Sequence, residues 1–295
     1  MCYAFKGQAM SIIKTPSFFI PSVLVCLIAI SSSALAQSSN ALEKSNWNIS
    51  FALGAGVRTN PVMDNDNSPL IVIPQISYDG ERFFIQNLDI GYSIFEDNDH
   101  QLNLLLTPSY DQVFFNDSGV NNFVDTFEFA SSTKSVPTVE LVNHAIDKGH
   151  LRKRRMAALG GLEYSQTLGG LDLQLQLLHE ITDYYSGNEV RIALSKGISL
   201  GKSDVKLTLG VNWQDSTTLN YFYGLTEAEA FGDVPYNPDS GVTRLLRFDW
   251  NYDISDRWSL RFFTSYRHLS QSISLSPLVT SNNVVTAFAG GVYHF

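Results

Sequence analysis

Cysteine is almost missing from this chain. Its 295 residues include two, Cys2 and Cys26, both close to the N-terminus. Everything after residue 26 therefore builds neither a disulfide framework nor a thiolate metal site. Charge is scarce too, at 17% of residues against about 25% in soluble globular domains. The shortage falls on the basic side. Lys and Arg number 20 against 29 Asp and Glu, a net charge of −9, which argues against a general nucleic-acid binder. Only one long apolar run exists, Pro21 to Ile30, so a polytopic helical membrane protein is excluded. Disorder is excluded in turn by 44% hydrophobic and 12% aromatic residues. The mean hydropathy of −0.03 lies between soluble and membrane values.

Residues 1–36 read as a secretory signal. Lys6 and Lys14 supply the positive region, Pro21 to Ile30 the apolar core, and Ser31 to Ala36 (SSSALA) the small residues before cleavage. That apolar core is too short to span a bilayer. Met10 is an alternative start, with Lys14 as its charged flank. Cys26 is no lipidation site, because Val25 stands where Gly, Ala or Ser is needed. Cleavage near Ala36 leaves residues 37–295 with 18 basic and 29 acidic side chains.

Beyond Trp47, apolar and polar residues alternate. Trp47, Ile49, Phe51, Leu53, Ala55 and Val57 are interleaved with Asn48, Ser50, Gly54, Gly56 and Arg58. The pattern returns in Leu171 to Leu177, Val205 to Trp213 and Leu246 to Ile254. Period two marks strands with one apolar and one polar face. Many runs are 10 to 14 residues long, as membrane-crossing strands need, whereas soluble strands average about 5–6. The polar face is rich in Gly, Ser, Asn and Gln. Trp47, Tyr78, Tyr164, Trp213, Trp258 and Tyr266 fall near run ends, where interfacial aromatics sit. Backbone amides cannot stay unpaired in lipid, so the sheet must close. The fold class is an all-β transmembrane antiparallel up-and-down barrel.

Strands are expected at 46–58, 70–79, 82–95, 101–115, 153–166, 169–182, 187–200, 203–215, 243–254, 257–270 and 284–295, which makes eleven. Both termini on one side of the membrane require an even number. The repair lies in 82–95, where Phe83 and Ile85 share one phase but Leu88, Ile90, Tyr92 and Ile94 the other. A turn at Gln86-Asn87 would give twelve strands; ten is the alternative if weak segments are over-counted. The segments 116–152, 216–242 and 271–283 are then long outward loops. Pro74 and Pro108 fit only at bulges or strand ends. Lys196 falls on a lipid face, where it can snorkel if it lies near the periplasmic end.

The chain ends in Tyr293-His294-Phe295, with Gly291, Ala289, Ala287 and Val285 on the same face. This resembles the signal by which the barrel-assembly machinery recognises outer-membrane barrels, here through Tyr293 and Phe295. Other stretches combine with it: Pro69 to Ile73, Tyr78 to Ile85, Gly91-Tyr92, Tyr221 to Leu225 with Glu227 and Ala228, Tyr236, Ser255 to Trp258, and Ser276 to Val279. In this order they resemble the MipA/OmpV family of outer-membrane proteins over essentially the whole exported chain. Tyr-Phe-Tyr-Gly-Leu stands where the family more often has Tyr-Tyr-Gly-Val, and His294 where Arg is commoner. The resemblance implies an outer-membrane barrel without enzymatic activity. It also implies a scaffold for a lytic transglycosylase and a murein synthase, other members being porin-like proteins or adhesins.

The residues themselves offer little chemistry. Six histidines are scattered without metal-like spacing, and Gly54, Gly56, Gly160 and Gly161 precede no helix that could hold phosphate. His179-Glu180, near Asp183, is the best acid–base candidate, with a solvated strand end as the plain alternative. No catalytic, cofactor or metal residue is assigned. Lys148, Arg152, Lys153, Arg154 and Arg155 form one basic run at the outer rim, suited to lipopolysaccharide phosphates or simply to solvent. Arg58, Asp89, Glu163, Asp172, Arg191, Lys206, Arg247, Asp249, Asp253, Arg261 and Arg267 fall on the lumen face. They could seal the lumen as ion pairs or line a conduit. Two functions stay open: a scaffold for murein enzymes, and a narrow channel for small polar solutes.

Overall fold

A computed structural model of the chain describes residues 46–115, 151–230 and 234–295. The signal segment and Lys148 lie outside the described residues. Twelve strands form one closed antiparallel ring in chain order. They are β1 (Asn46–Arg58), β2 (Ser68–Asp79), β3 (Phe83–Gln86), β4 (Asp89–Glu96), β5 (His100–Pro108) and β6 (Ala158–Leu168). The other half is β7 (Leu171–Glu180), β8 (Asn188–Leu200), β9 (Ser203–Gln214), β10 (Gly241–Ser255), β11 (Trp258–His268) and β12 (Asn283–His294). Closure comes from β12 against β1, running from Ser50 opposite His294 to Arg58 opposite Thr286.

One end of the barrel carries short turns, among them Gly169-Gly170 and Gly201-Lys202. Gly169, Gly170 and Gly201 have φ of +57°, +83° and +66°, values open to glycine at little cost. The opposite end carries the long connections. Large apolar side chains face outward all round the wall, with Leu53 66% and Leu209 52% exposed. Their neighbours Ala52, Ser195, Arg261 and Thr286 are buried inside. A water-soluble protein does not leave such a belt uncovered; in lipid the belt is solvated. No helix among the described residues is long and apolar enough to cross a membrane, so crossing falls to the strands. Aromatics ring the turn end: Trp47 lies 4.8 Å from Tyr78, Trp258 5.1 Å from Tyr293, and Tyr293 4.9 Å from Phe295. Lys196 pairs with Leu207 on the outer face, in the half of β8 toward the turn end.

The phase flip in 82–95 is a hairpin, and it makes the count twelve. Asn87 turns it at φ +57°, a conformation Asn tolerates better than most residues. Its amide N–H donates to the Ile76 carbonyl at 2.7 Å, and its side chain accepts from Ile76 N–H at 3.1 Å. Above that point β3 gives β2 no partner, the pairing being confined to Ser77, Tyr78 and Asp79. Pro74 is the next β2 position turned toward that side, and it has no N–H to leave unpaired. Two expected strands are shorter than the alternation suggested. β5 ends at Pro108, and Tyr110–Phe114 form a 3-10 turn instead of continuing to residue 115. β6 starts at Ala158, because residues 152–154 are tied to a neighbouring loop.

The closing seam needs small residues. Gly54 and Gly56 on β1 lie opposite Gly290 and Phe288 on β12. A Cβ on Gly54 would stand 2.2 Å from the Ala289 carbonyl oxygen, which is backbone and cannot swing away. Inside, Ala52, Leu70, Ile73, Phe263, Phe288 and Val292 pack as an apolar cluster against this seam. Gly54→Val is therefore expected to destabilise the barrel by about 1–3 kcal/mol or to prevent closure. Loss of the compact, heat-modifiable band in semi-native electrophoresis reports this, while Gly197→Val, where a Cβ meets nothing within 4 Å, leaves that band in place.

Candidate functional site

The long connections at the loop end do not simply project outward. Residues 216–242 contain two helices, α1 (Ser216–Tyr223) and α2 (Glu227–Ala230), and 271–283 contain α3 (Gln271–Ser274). Asp215 starts α1, its carboxylate accepting the Thr218 N–H at 2.8 Å as an N-cap should. Leu219, Phe222 and Tyr223 lie on one face of α1 and are fully buried. Against them pack Val62, Phe114, Leu269, Ile273 and Val284, drawn from four different connections or strand ends. The result is an apolar cap across the loop end of the lumen.

The 3-10 turn after β5 belongs to this cap and reaches into the lumen. Tyr110 donates its hydroxyl to Asp89 of β4 at 3.1 Å, and its ring lies under Arg191 of β8 at 4.5 Å. Gln214 of β9 donates to Asp111 at 2.6 Å. The Phe114 carbonyl accepts from Asn60 at 3.2 Å and Asn65 at 2.6 Å. Burial pushes the Asp111 carboxyl above its ordinary value, and nearby Glu189 adds to the shift. Burial likewise holds the Tyr223 hydroxyl well above the usual tyrosine range, with the Asp111 charge as a second cause.

Below the cap lies a polar vestibule of about 1210 Å³ that extends to the turn-end residues Glu96 to Asp99. Of the charged residues read onto the lumen face, all but Arg58 and Glu163 line it. Those two are buried in the wall interior, with Glu163 accepting from Asn103 at 3.0 Å and from Gln174 and Gln176 at 2.7 Å each. Arg191 pairs with Glu189 at 2.9 Å, and Arg247 grips Asp249 through two bonds of 2.7 and 2.8 Å. Sequence reading missed Tyr110, Asp111 and Glu189. Glu189 was legible, since it shares its phase with Arg191 two residues on; Asp111 was not, because its segment read as strand.

The basic run divides in two. Arg154 is only 5% exposed and donates to the Phe222 carbonyl at 2.5 Å and the Gly224 carbonyl at 3.0 Å. Its guanidinium lies 3.7 Å from Glu229 and 5.0 Å from the Phe115 ring centre. Burial lowers its pKa to about 10, with Glu229 pulling the other way. The Arg152 N–H donates to Glu229 at 2.9 Å, and its guanidinium reaches the Asn220 carbonyl. Arg154 is therefore a strut holding the cap rather than a surface cation, which corrects its reading as a phosphate contact. Lys153 and Arg155 stay exposed. Burial alone would raise the Glu229 carboxyl, but N–H donation from Arg152 and Thr226, the Thr226 hydroxyl and Arg154 together hold it below 4.5.

His179 and Glu180 do not form a pair. Adjacent strand residues face opposite sides, and His179 is exposed while Glu180 is 2% exposed. Glu180 accepts the N–H groups of Thr182, Tyr184, Tyr185 and Ser186, organising the β7–β8 loop. Asp183 sits in that loop at φ +61°. No group of three or more His, Cys, Asp or Glu among the described residues is placed to hold a metal.

A closed barrel with an apolar outer belt, aromatic rim and charged lumen is an integral outer-membrane protein. More narrowly, the chain belongs to the family of the MltA-interacting protein MipA, whose model matches residues 53–295. The MltA-interacting protein of Escherichia coli K12 is 25% identical over 251 residues, 83% of this chain and 90% of that protein. Outer membrane protein OmpV of Vibrio cholerae is 24% identical over 284 residues, 96% of this chain and 100% of its own length. Among solved structures, an outer membrane channel from Pseudomonas putida F1 is 8% identical with a TM-score of 0.35, covering 90% of this chain and 100% of that one.

Several of the stretches that carried the family resemblance meet in the cap. Phe222 and Tyr223 are in its core, and the Tyr223 carbonyl accepts the Ser276 hydroxyl at 2.6 Å. Leu225 and Tyr236 exchange both backbone bonds, at 2.8 and 2.9 Å. Leu278 packs beside Leu225, and Val279 bridges to Val62.

Two outcomes follow. Arg154→Ala removes one charge partner of Glu229 and the donor of the buried Phe222 and Gly224 carbonyls, a loss of about 1–3 kcal/mol in the local stability of the cap. Limited proteolysis at residues 151–157 and 224–230 should detect it. For Glu229 the folded pKa is depressed, so its stabilisation is present above pH 4.5 and lost as pH falls through the folded value. Proteolytic protection of the same loops should drop with acidification in wild type, and Glu229→Gln should already lack it at neutral pH.

Proposed function

We propose that the protein is a closed, non-catalytic outer-membrane barrel that acts as an interaction platform, docking a periplasmic murein-processing enzyme at its turn end. The apolar cap carries this reading. Val62, Phe114, Leu219, Phe222, Tyr223 and Ile273, each no more than 6% exposed, lie where a free conduit would need water. The turn end, taken as periplasmic because both termini of the barrel lie there, offers the docking surface. Asp79, Glu81, Glu96, Asp97, Asp99 and Asp256 are exposed on it, against Arg82, Lys202 and Arg257. An acidic rim attracts and orients a partner with a basic face, at the level of encounter rate and specificity. The name of the Escherichia coli relative supports the class of partner, and the family resemblance implies a lytic transglycosylase together with a murein synthase. The exposed Phe295 and the half-buried Tyr293 beside it suit recognition by the barrel-assembly machinery, and exposed Lys153 and Arg155 suit lipopolysaccharide phosphate at the opposite rim.

Two measurements check the proposal. Purified barrel in a planar bilayer should stay electrically silent, whereas Phe222→Ala combined with Arg154→Ala should produce conductance steps; persistent conductance in wild type removes the closed-barrel reading. Capture of a purified lytic transglycosylase should fall about tenfold or more with Asp97→Lys and Asp99→Lys, and weaken with salt. Equal capture by the charge-reversed rim would refute rim docking.

A further inference from the structure

The outward face of the wall is apolar, yet it carries cations at two places. Among the described strands, the Lys and Arg side chains in outward phase are Lys196 of β8 and Arg244 of β10. Lys196 stands in the turn-end half, whereas Arg244 lies three residues from the loop-end start of β10 at Gly241. Its neighbours fix its phase. Val242 and Leu246 are 42% and 45% exposed, while Thr243 is buried and Leu245 and Arg247 line the vestibule. Arg244 itself is exposed, and its guanidinium has no hydrogen bond or ion pair among the described residues. A lone cation on a lipid face is costly unless it meets the interface or an anion there.

Polar groups gather beside it. The register sets Val211, Arg244, His268 and Asn283 in one row across β9 to β12. His268 Nδ1 and Asn283 Oδ1 are 2.8 Å apart, and Tyr266 donates its hydroxyl to the same oxygen at 2.6 Å. An acceptor there places a proton on Nδ1 and fixes the imidazole ring. Nε2 keeps no partner among the described residues. Asn283 is seated in turn, its N–H donating to Ser281 Oγ at 3.2 Å. The next row toward the turn end is apolar, with Leu209, Leu246 and Val285 52%, 45% and 40% exposed. Trp213 stands opposite Val242, two residues nearer the loop end, as an interfacial aromatic does. The polar row therefore lies where headgroups give way to acyl chains.

We propose that this row is a lipid site on the outer wall. Arg244, with His268 beside it, takes a phosphate of outer-leaflet lipopolysaccharide, and the apolar row takes an acyl chain. A guanidinium offers phosphate paired N–H donors, so the lipid supplies the partner that Arg244 lacks within the chain. The site rests on the reading that the loop end meets the outer leaflet. It lies four strands from Lys153 and Arg155, which precede β6, and it needs neither docking at the turn end nor a closed lumen.

Diphosphorylated lipid A is the probe, with retention on refolded, lipid-free barrel in detergent read by native mass spectrometry. Wild type should retain it, and dephosphorylated lipid A should bind about tenfold or more weakly, the worth of one charge-assisted contact. Arg244→Gln should impose the same loss on phosphorylated lipid A and abolish the difference between the two lipids. Lys196→Gln should leave that difference in place, and so should Lys153→Gln combined with Arg155→Gln. The heat-modifiable band confirms the fold of each variant. Loss of the difference in the Lys153 and Arg155 variant alone would move the phosphate to the rim and overturn the Arg244 site. Equal binding of both lipids by wild type, or undiminished binding by Arg244→Gln, would overturn it too. So would displacement of lipid A by an equal concentration of inorganic phosphate or phosphatidylglycerol.

Discussion

A backbone amide in hydrocarbon has no water to turn to. Every strand in the belt must find partners on both sides, and the sheet must close. Much of this structure follows from that demand. The seam between β1 and β12 is built from Gly54, Gly56 and Gly290, where a side chain would hold the two backbones apart. The short β3–β4 hairpin makes the strand number even, so β12 ends at the rim where β1 begins. Where β3 stops, β2 presents Pro74, which has no N–H to satisfy. The prolines that look misplaced in an alternating sequence mark places where pairing ends.

The same closure creates an interior that must be either filled or wetted. Both happen, in layers. Toward the loop end, connections fold back and fill the lumen with aromatic and aliphatic side chains. Arg154 anchors that cap by reaching carbonyls at the end of α1 and the carboxylate of Glu229. Toward the turn end the lumen stays polar, and its charges pair along and between neighbouring strands. A guanidinium serves the cap because its planar fork can satisfy several acceptors from one buried position. Phe222, Tyr223, Leu225, Ser276 and Leu278, from two of the stretches that carried the resemblance, meet in this cap, while most of the other stretches lie in the wall and at the turn end.

The wall was largely legible in the sequence, since period two assigns each residue to lipid or lumen and a phase flip reveals a turn. Asp89, Arg191, Lys206, Arg247 and Asp249 were placed on the lumen by parity, and they line the vestibule. The cap was not legible. Tyr110 to Phe114 continue the alternation of β5, yet Pro108 ends the ladder and contacts with Asp89, Arg191 and Gln214 draw the segment inward. His179 and Glu180 looked like a functional pair because they are adjacent in sequence; a strand turns them to opposite faces. Arg152 to Arg155 looked like one basic patch, but their roles divide according to which carbonyls each can reach.

By itself the sequence determined the barrel class, the parity of its strands and the sidedness of most wall residues. These rest on local periodicity and on the uniform requirement that lipid imposes on every strand. Only the tertiary structure decided that the outer loops turn inward, that Arg154 is a strut, and that a polar vestibule lies beneath the cap. Those depend on contacts between segments far apart in the chain. Alternation says which face a residue takes, and closure of the ring determines what stands opposite.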